Sequence, residues 1–248
     1  MPASRRFRVL VLGGSAEAFD LAEQLAGDRE VEAITAMAGV TRERRAVPGH
    51  VRIGGFGGPE GLAAWLDAEH IDAVVDSTHP FARQMTANAA RAAATARVPI
   101  VHVLRPPWTA RPGDKWHEVD DMAAAARAVP ASPCFLTVGR TELEPFAARH
   151  DVAFIARVID RPDPAPDFTY IEARGPFALA DELALIEHYG IRAIVTKNSG
   201  GRAAEAKLTA ARWLGLPVVM VRRPAPPAGA LVPDAAAALD WIRGVRHA

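Results

Sequence analysis

Ile191-Arg192-Ala193-Ile194-Val195-Thr196-Lys197-Asn198-Ser199-Gly200-Gly201 sets a β-branched apolar run against a polar loop ending in two glycines, and an alanine-rich stretch follows. An apolar run of this length bounded by glycine reads as a buried strand, and the alanine-rich stretch as a helix. Strand, glycine loop and helix form the repeating unit of a parallel α/β sheet. The loop also has a chemical reading. Glycine lets backbone N–H groups turn toward a ligand, and a helix start carries partial positive charge, so a phosphate or carboxylate suits the place. A surface turn is the other reading. Only Lys115, Lys197 and Lys207 are lysines among 29 basic residues. A lysine at a strand end therefore points to a need for a compact point charge.

The same alternation extends outward in both directions. Strands are expected at Arg8–Leu12, Val31–Met37, Ile71–Asp76, Ile100–Leu104, Cys134–Val138, Val152–Ile159 and Pro217–Val221. Helices are expected at about Ala16–Leu25, Glu60–Ala68, Ala82–Thr95, Phe177–His188, Ala203–Leu214 and Asp234–Arg243, with another starting near Thr141. The proline-rich run Arg105-Pro106-Pro107-Trp108-Thr109-Ala110-Arg111-Pro112-Gly113 breaks the alternation and marks a boundary. The expected architecture is α/β, with two doubly wound, Rossmann-like parallel-sheet lobes and an interlobe cleft. Residues 1–106 form the first lobe, and residues 107–248 the second.

Composition narrows the function. The chain has 248 residues, 50% of them hydrophobic, and its 29 acidic residues balance the 29 basic ones. This excludes a disordered chain and gives no general affinity for nucleic acid. The single cysteine, Cys134, lies in an apolar run and reads as a buried structural thiol. Met1-Pro2-Ala3-Ser4-Arg5-Arg6 passes straight into a strand without a signal peptide, and no apolar run approaches membrane-spanning length, so a cytoplasmic protein is expected; a monomer is taken as the oligomeric state without a sequence signal for it. The eight histidines lack metal-ligand spacing, so no metal is expected. Phosphate-loop, zinc-protease, nucleophile-elbow and C-x-x-C motifs are missing, as is the tyrosine–lysine pair of short-chain dehydrogenases.

In open parallel sheets, ligands bind beyond the carboxyl ends of the strands. After the first strand comes Gly13-Gly14-Ser15-Ala16-Glu17-Ala18, a glycine turn in the place of a dinucleotide phosphate loop but without G-x-G-x-x-G spacing. Ser15 suits a helix cap or a phosphate contact. Glu17 suits a ribose hydroxyl or the helix dipole. Arg42, Arg44 and Arg45 follow the second strand where an NAD-type fold places an acid, which favours NADP; a solvated basic face is the alternative. His79, in Asp76-Ser77-Thr78-His79-Pro80-Phe81-Ala82, is placed to donate a proton or to be fixed by nearby backbone. Arg140 follows Gly139 and suits a carboxylate or phosphate. Gly54-Gly55-Phe56-Gly57-Gly58 offers flat backbone beside an aromatic ring, or a mobile loop.

Taken together, these segments resemble the precorrin-6A reductase family of the cobalamin pathway. The resemblance rests on Leu12–Ala18, Gly54–Gly58, Asp76–Ala82, Arg105–Trp108, Thr137–Arg140, Gly175-Pro176-Phe177 and Thr196–Gly201, which cover nearly the whole chain in order. Ser15 stands where threonine is usual, and Ser77 where alanine is usual. The resemblance implies an NADPH-dependent reductase that adds hydride and a proton across a C=C bond of precorrin-6A, a polycarboxylate macrocycle, to give precorrin-6B. By matched position it implies cofactor contacts from Gly13, Gly14, Ser15, Glu17, Gly39, Arg42, Thr78, Thr137, Gly139 and Arg140, with Arg44 a further one. His79, Lys197, Ser199, Gly200 and Gly201 are implied near nicotinamide and substrate, and His79 or Lys197 as proton donor, with solvent as the rival source. Trp108 either closes over the macrocycle or packs at the hinge. Another NADP-dependent oxidoreductase with a polycarboxylate substrate and a non-catalytic dinucleotide sensor are the alternative functions.

Overall fold

β-Branched and aliphatic side chains fill the strand centres and alanine fills the helices, so strands are buried on both faces and helices pack close. The computed structural model describes residues 5–37 and 47–248. In chain order the elements are β1 (Phe7–Leu12), α1 (Ala16–Ala26), β2 (Val31–Met37), β3 (His50–Ile53), α2 (Gly58–Ala68), β4 (Ala73–Asp76), α3 (Arg83–Ala96) and β5 (Ile100–Val103). They continue with β6 (Lys115–Val119), α4 (Met122–Ala128), β7 (Cys134–Thr137), α5 (Glu144–Ala147), β8 (Phe154–Val158), β9 (Thr169–Glu172) and α6 (Leu179–His188). The last are β10 (Ala193–Lys197), α7 (Ala206–Leu214), β11 (Pro217–Val221), β12 (Ala230–Val232) and α8 (Ala235–Arg246).

The chain folds into two units. Unit 1 is Met1–Arg105 with Pro224–Ala248, and unit 2 is Pro106–Arg223. The expected second lobe, 107–248, is corrected for its tail: β12 pairs in parallel with β5, and Ala235, Ala238 and Ile242 of α8 join the unit 1 core. Unit 1 has the strand order β12-β5-β4-β1-β2-β3, and unit 2 the order β6-β11-β10-β7-β8-β9. All pairings are parallel. Each is a doubly wound sheet.

Alternation along β1 shows how one strand serves two cores. Val9 and Val11 face α1 and α8, while Leu10 and Leu12 face α2 and α3. All four are at most 2% exposed. Burial of each such side chain contributes about 1.5–3 kcal/mol. In unit 2, Phe135, Ile155, Ile194, Val218 and Met220 pack on α6 and α7. Cys134 is fully buried, and burial pushes its thiol up to about 12, which leaves it inert. No helix among the described residues is long and apolar enough to cross a membrane.

Candidate functional site

In each sheet the strand order reverses between two central strands, β1 and β4 in unit 1 and β7 and β10 in unit 2, and a crevice opens beyond their carboxyl ends. In unit 1, Gly14 has φ +125° and no atom within 4 Å of where a Cβ would stand. That open, glycine-only backbone is a cradle that a side chain would fill. Ser15 caps α1 by accepting from Ala18 N at 3.2 Å, so the helix dipole points at the turn. Its hydroxyl also meets that of Ser77 at 3.1 Å, which ties the two switch-point loops together. These features fit the pyrophosphate of a dinucleotide. Glu17 does not stand open: its carboxylate accepts from Arg105 Nη1 at 2.7 Å. Gly39, Arg42 and Arg44, expected at the adenosine end, lie outside the described residues.

The β4–α3 loop is organised by a buried acid that sequence reading did not single out. Asp76 Oδ1 accepts from the backbone N and the hydroxyl of Thr78, at 3.1 and 2.7 Å. Its Oδ2 lies 2.9 Å from His102 Nδ1. Burial alone would raise the Asp76 carboxyl, but the hydrogen bonds from His102 and Thr78 outweigh it and hold the group below the usual carboxylate range. An ionised Asp76 fixes Nδ1 as the protonated nitrogen of His102. His79 Nδ1 accepts from Phe81 N at 3.3 Å, so in the neutral ring Nε2 carries the proton.

In unit 2 the switch-point loops meet through an ion pair. Lys197 Nζ donates to Glu142 Oε2 at 2.7 Å, and the same oxygen accepts from Gly139 N at 2.7 Å. Arg140 opens a 3-10 turn over Arg140–Glu142 beside this pair, and Thr137 donates to Val195 O at 3.0 Å. Gly200 has φ +66°, and a Cβ there would stand 2.1 Å from Pro106 O, so the tight approach requires glycine. Asn198 holds the loop: it accepts from Trp108 N at 2.8 Å and donates to Trp108 O at 2.9 Å. Its carbonyl accepts from Arg223 Nε at 3.2 Å. Trp108 donates from Nε1 to Gly201 O at 3.1 Å and packs on the unit 2 core. Ser199 is 9% exposed, and its backbone N donates to Lys197 O.

The structure thus brings Gly13, Gly14, Ser15 and Thr78 to the unit 1 switch point, and Thr137, Gly139, Arg140 and Lys197–Gly201 to that of unit 2. Sequence reading missed Asp76, His102, Glu142 and Asn198 as organising groups. The spacing of Glu142 three residues after Gly139, as in a helix-capping box, was the available signal for one of them.

Two doubly wound parallel sheets, the first with a serine-capped glycine turn at its switch point, define a Rossmann-like α/β protein. The chain belongs to the precorrin-6x reductase CbiJ/CobK family, whose model matches residues 8–243. It is 50% identical over 240 residues to the precorrin-6A reductase of Rhodococcus erythropolis, covering 95% of this chain and 97% of that protein. It is 44% identical over 240 residues to the precorrin-6A reductase of Rhodobacter capsulatus, covering 95% of each. A solved CobK precorrin-6A reductase structure superposes with TM-score 0.90 at 43% identity, covering 96% of this chain and 97% of that chain.

Proposed function

We propose that this protein reduces precorrin-6A to precorrin-6B with NADPH, in the biosynthesis of cobalamin. The observation that carries the reading is family membership across residues 8–243, which spans both switch points. When bound, NADPH supplies the hydride to one carbon of the C=C bond. The protein's own tasks are to hold cofactor and macrocycle together, exclude water and deliver a proton to the neighbouring carbon.

Gly13, Gly14 and Ser15 are assigned to the pyrophosphate, supported by the open Gly14 backbone and the α1 N-terminus. Thr78 is a cofactor contact whose hydroxyl is aimed by Asp76. Glu17 takes part through its ion pair with Arg105. Gly39 and Arg42 are assigned to the ribose and its 2′-phosphate. Thr137, Gly139 and Arg140 are assigned to the cofactor, and Lys197, Ser199, Gly200 and Gly201 to the substrate. The pairing of Trp108 with Asn198 and Gly201 supports a supporting role for it beneath that loop. His79 and Lys197 are the proton donors proposed. His79 presents Nε2–H; Lys197 donates to Glu142 and would exchange that carboxylate for one of the substrate. A cytoplasmic monomer is part of the same proposal, and sedimentation of the pure protein checks the oligomeric state.

The test is direct. Pure protein mixed with NADPH and precorrin-6A is expected to lose absorbance at the nicotinamide band as precorrin-6B forms. No oxidation of NADPH would sink the reading, and tight NADPH binding without turnover would favour a dinucleotide sensor. If His79→Ala and Lys197→Ala both kept wild-type turnover, the proton would come from neither.

A further inference from the structure

Unit 2 buries three ionisable side chains that none of the roles above uses: Arg157 on β8, Glu182 on α6 and Lys207 on α7. Arg157 Nη1 donates to Glu182 Oε1 at 2.8 Å, deep in the unit. These two charges offset each other, so Lys207 is the surplus cation. It is 3% exposed and forms no ion pair among the described residues. Glu182 Oε2 is buried without a hydrogen-bond partner among the described residues, yet the Lys207 ammonium does not donate to it. Nζ donates instead to Ala204 O at 2.7 Å.

Ala204 ends the short turn that follows Gly200 and Gly201, and the carbonyls of that turn are held one after another. Gly201 O accepts from the Trp108 indole at 3.1 Å, Ala203 O from Phe177 N at 3.3 Å, and Ala204 O from Lys207. The buried charges tie these three donors together. Lys207 Nζ lies 5.0 Å from the centroid of the Trp108 ring, and the Arg157 guanidinium carbon lies 3.6 Å from that of Phe177. Phe177 belongs to Gly175-Pro176-Phe177, a segment so far without a role. A Cβ on Gly175 would stand 3.1 Å from the Phe177 ring and 3.4 Å from Ala203 O, so glycine lets this segment close on the turn. For stability alone, a surplus buried ammonium is a poor choice. Methionine would fill similar space without the desolvation cost. Burial, with the Arg157 charge adding to it and Glu182 opposing, holds the Lys207 amine down at about 7. A cation kept at such a cost beneath a substrate loop points to a task other than stability.

We propose that Lys207 is a positioning residue of the reductase: its buried ammonium, set between Trp108 and the Arg157–Glu182 pair, fixes the Gly201–Ala204 carbonyls and through them the Ser199–Gly201 loop that meets the substrate. Being buried, Lys207 acts through the loop and not by touching the macrocycle. The assignment rests on the reading above that Ser199, Gly200 and Gly201 meet precorrin-6A. Arg157 of β8 and Glu182 of α6 are the charged groups that act on the amine, and Trp108 and Phe177 face the cluster without charge. The ionised amine gives a charge-assisted hydrogen bond to Ala204 O and a cation–π contact with Trp108. The neutral amine gives neither, so the loop is held best below about pH 7.

Lys207→Met, compared with wild type from pH 6 to 9 by melting temperature and steady-state kinetics, tests the proposal. At pH 6 the variant is expected to melt no lower than wild type. Its KM for precorrin-6A is nevertheless expected to rise about three- to tenfold, with KM for NADPH unchanged. A lysine that served the fold alone would not move stability and substrate KM apart in this way. The ratio of wild-type to variant kcat/KM for precorrin-6A is expected to fall severalfold between pH 6 and 9, as the amine loses its proton. Taking the ratio removes the titration of His79, Lys197 and the substrate, which both proteins share. Equal KM for precorrin-6A at pH 6 would overturn the positioning role and leave the reductase reading standing. A raised KM that comes with a lower melting temperature would overturn it too, because the lysine would then serve the fold. A rise in KM for NADPH in place of that for precorrin-6A would give the loop to the cofactor and overturn it as well. A wild-type protein that never oxidises NADPH with precorrin-6A would remove both readings together.

Discussion

At the unit 1 switch point Ser15 and Ser77 meet through neutral hydroxyls 3.1 Å apart; at the unit 2 switch point Lys197 and Glu142 meet as ions 2.7 Å apart. The strand orders around them are the same, five strands wound in two directions from the centre with a sixth at one edge. That sixth strand comes from opposite ends of the sequence: β12 follows the other strands of unit 1, whereas β6 precedes the other strands of unit 2. The chemical difference follows from what comes after the glycines. In unit 1 an 11-residue helix starts at once after Ser15, so fixed peptide dipoles supply the positive field. In unit 2 the two loops run into three-residue 3-10 turns, Arg140–Glu142 and Arg202–Ala204, too short to sum comparable dipoles. Attraction for an anion must come there from side chains, and Lys197 is the lysine at the strand end.

Buried charge separates the units further. Unit 1 buries the Asp76 carboxylate against His102, 2.9 Å from its Nδ1. Unit 2 buries Arg157 with Glu182 at 2.8 Å, 7% and 1% exposed by side chain, and places Lys207 close by at 3%. Arg157 lies 3.6 Å from the centroid of Phe177, and Lys207 Nζ lies 5.0 Å from that of Trp108. Removing the single carboxylate of this group is expected to have the largest effect. Glu182→Ala leaves the buried Arg157 cation without its carboxylate and should cost unit 2 about 3–5 kcal/mol. Asp76→Ala should cost unit 1 less, about 1–3 kcal/mol, the range for buried donors left without their acceptor. Hydrogen exchange resolved by unit reads both, and a smaller loss in Glu182→Ala would break the contrast.

The central strands of both sheets were legible because they are buried on both faces. β1, β2, β4, β5, β7, β8, β10 and β11 all coincide with apolar runs, and β2 and β11 match their expected limits. The strands that escaped are β3, β6, β9 and β12, and they are the four sheet edges. His50–Ile53 is almost wholly exposed, and Lys115–Val119 carries Lys, His and Glu, so neither shows an apolar run. Edge strands need no second apolar face, and polar residues there discourage pairing between molecules. Missing β12 is also what misassigned the tail to unit 2. At the site, the glycine turns were readable because backbone conformation is written in residue type. Glu142 and His102 were not, because the contacts that give them meaning bridge 55 and 26 residues.

The second test asks whether the extra cation of unit 2 is carried at a cost. Burial, with Arg157 adding to it and Glu182 opposing, pushes the Lys207 amine down to about 7. Between that pH and the ordinary lysine range, the unfolded chain holds a proton that the folded chain has released. Stability therefore rises with pH across this window, by up to about 1.4 kcal/mol per unit. Below about pH 7 both states hold the proton, and the folded state carries the full burden of a buried ammonium. Lys207→Met removes this dependence, so wild type should gain on the variant as pH rises from 7 to 9. Melting curves of both proteins at several pH values measure the difference, and parallel curves would show that Lys207 stays charged in the fold.

The smallest expected effect bears most directly on the two switch points. Ser15→Ala removes the cap of α1 and leaves Ala18 N and the fully buried Ser77 hydroxyl without that partner. A lost serine cap costs about 1 kcal/mol, or about 2–4 °C in melting temperature for a chain of this size. Ser15→Thr keeps the oxygen and should restore most of it. If unit 1 attracts its anion through the α1 dipole and the Ser15 hydroxyl, Ser15→Ala should weaken NADPH binding several-fold, since each charge-assisted hydrogen bond is worth roughly 1.5–3 kcal/mol less what water replaces. If unit 2 attracts a substrate carboxylate through Lys197, Lys197→Ala should leave NADPH affinity unchanged and raise KM for precorrin-6A. Fluorescence titration with NADPH and steady-state kinetics separate the two variants. A reversed result, with Lys197→Ala losing NADPH and Ser15→Ala keeping it, would mean that the lysine and not the helix holds the cofactor's phosphate. The neutral and the charged switch points would then exchange ligands.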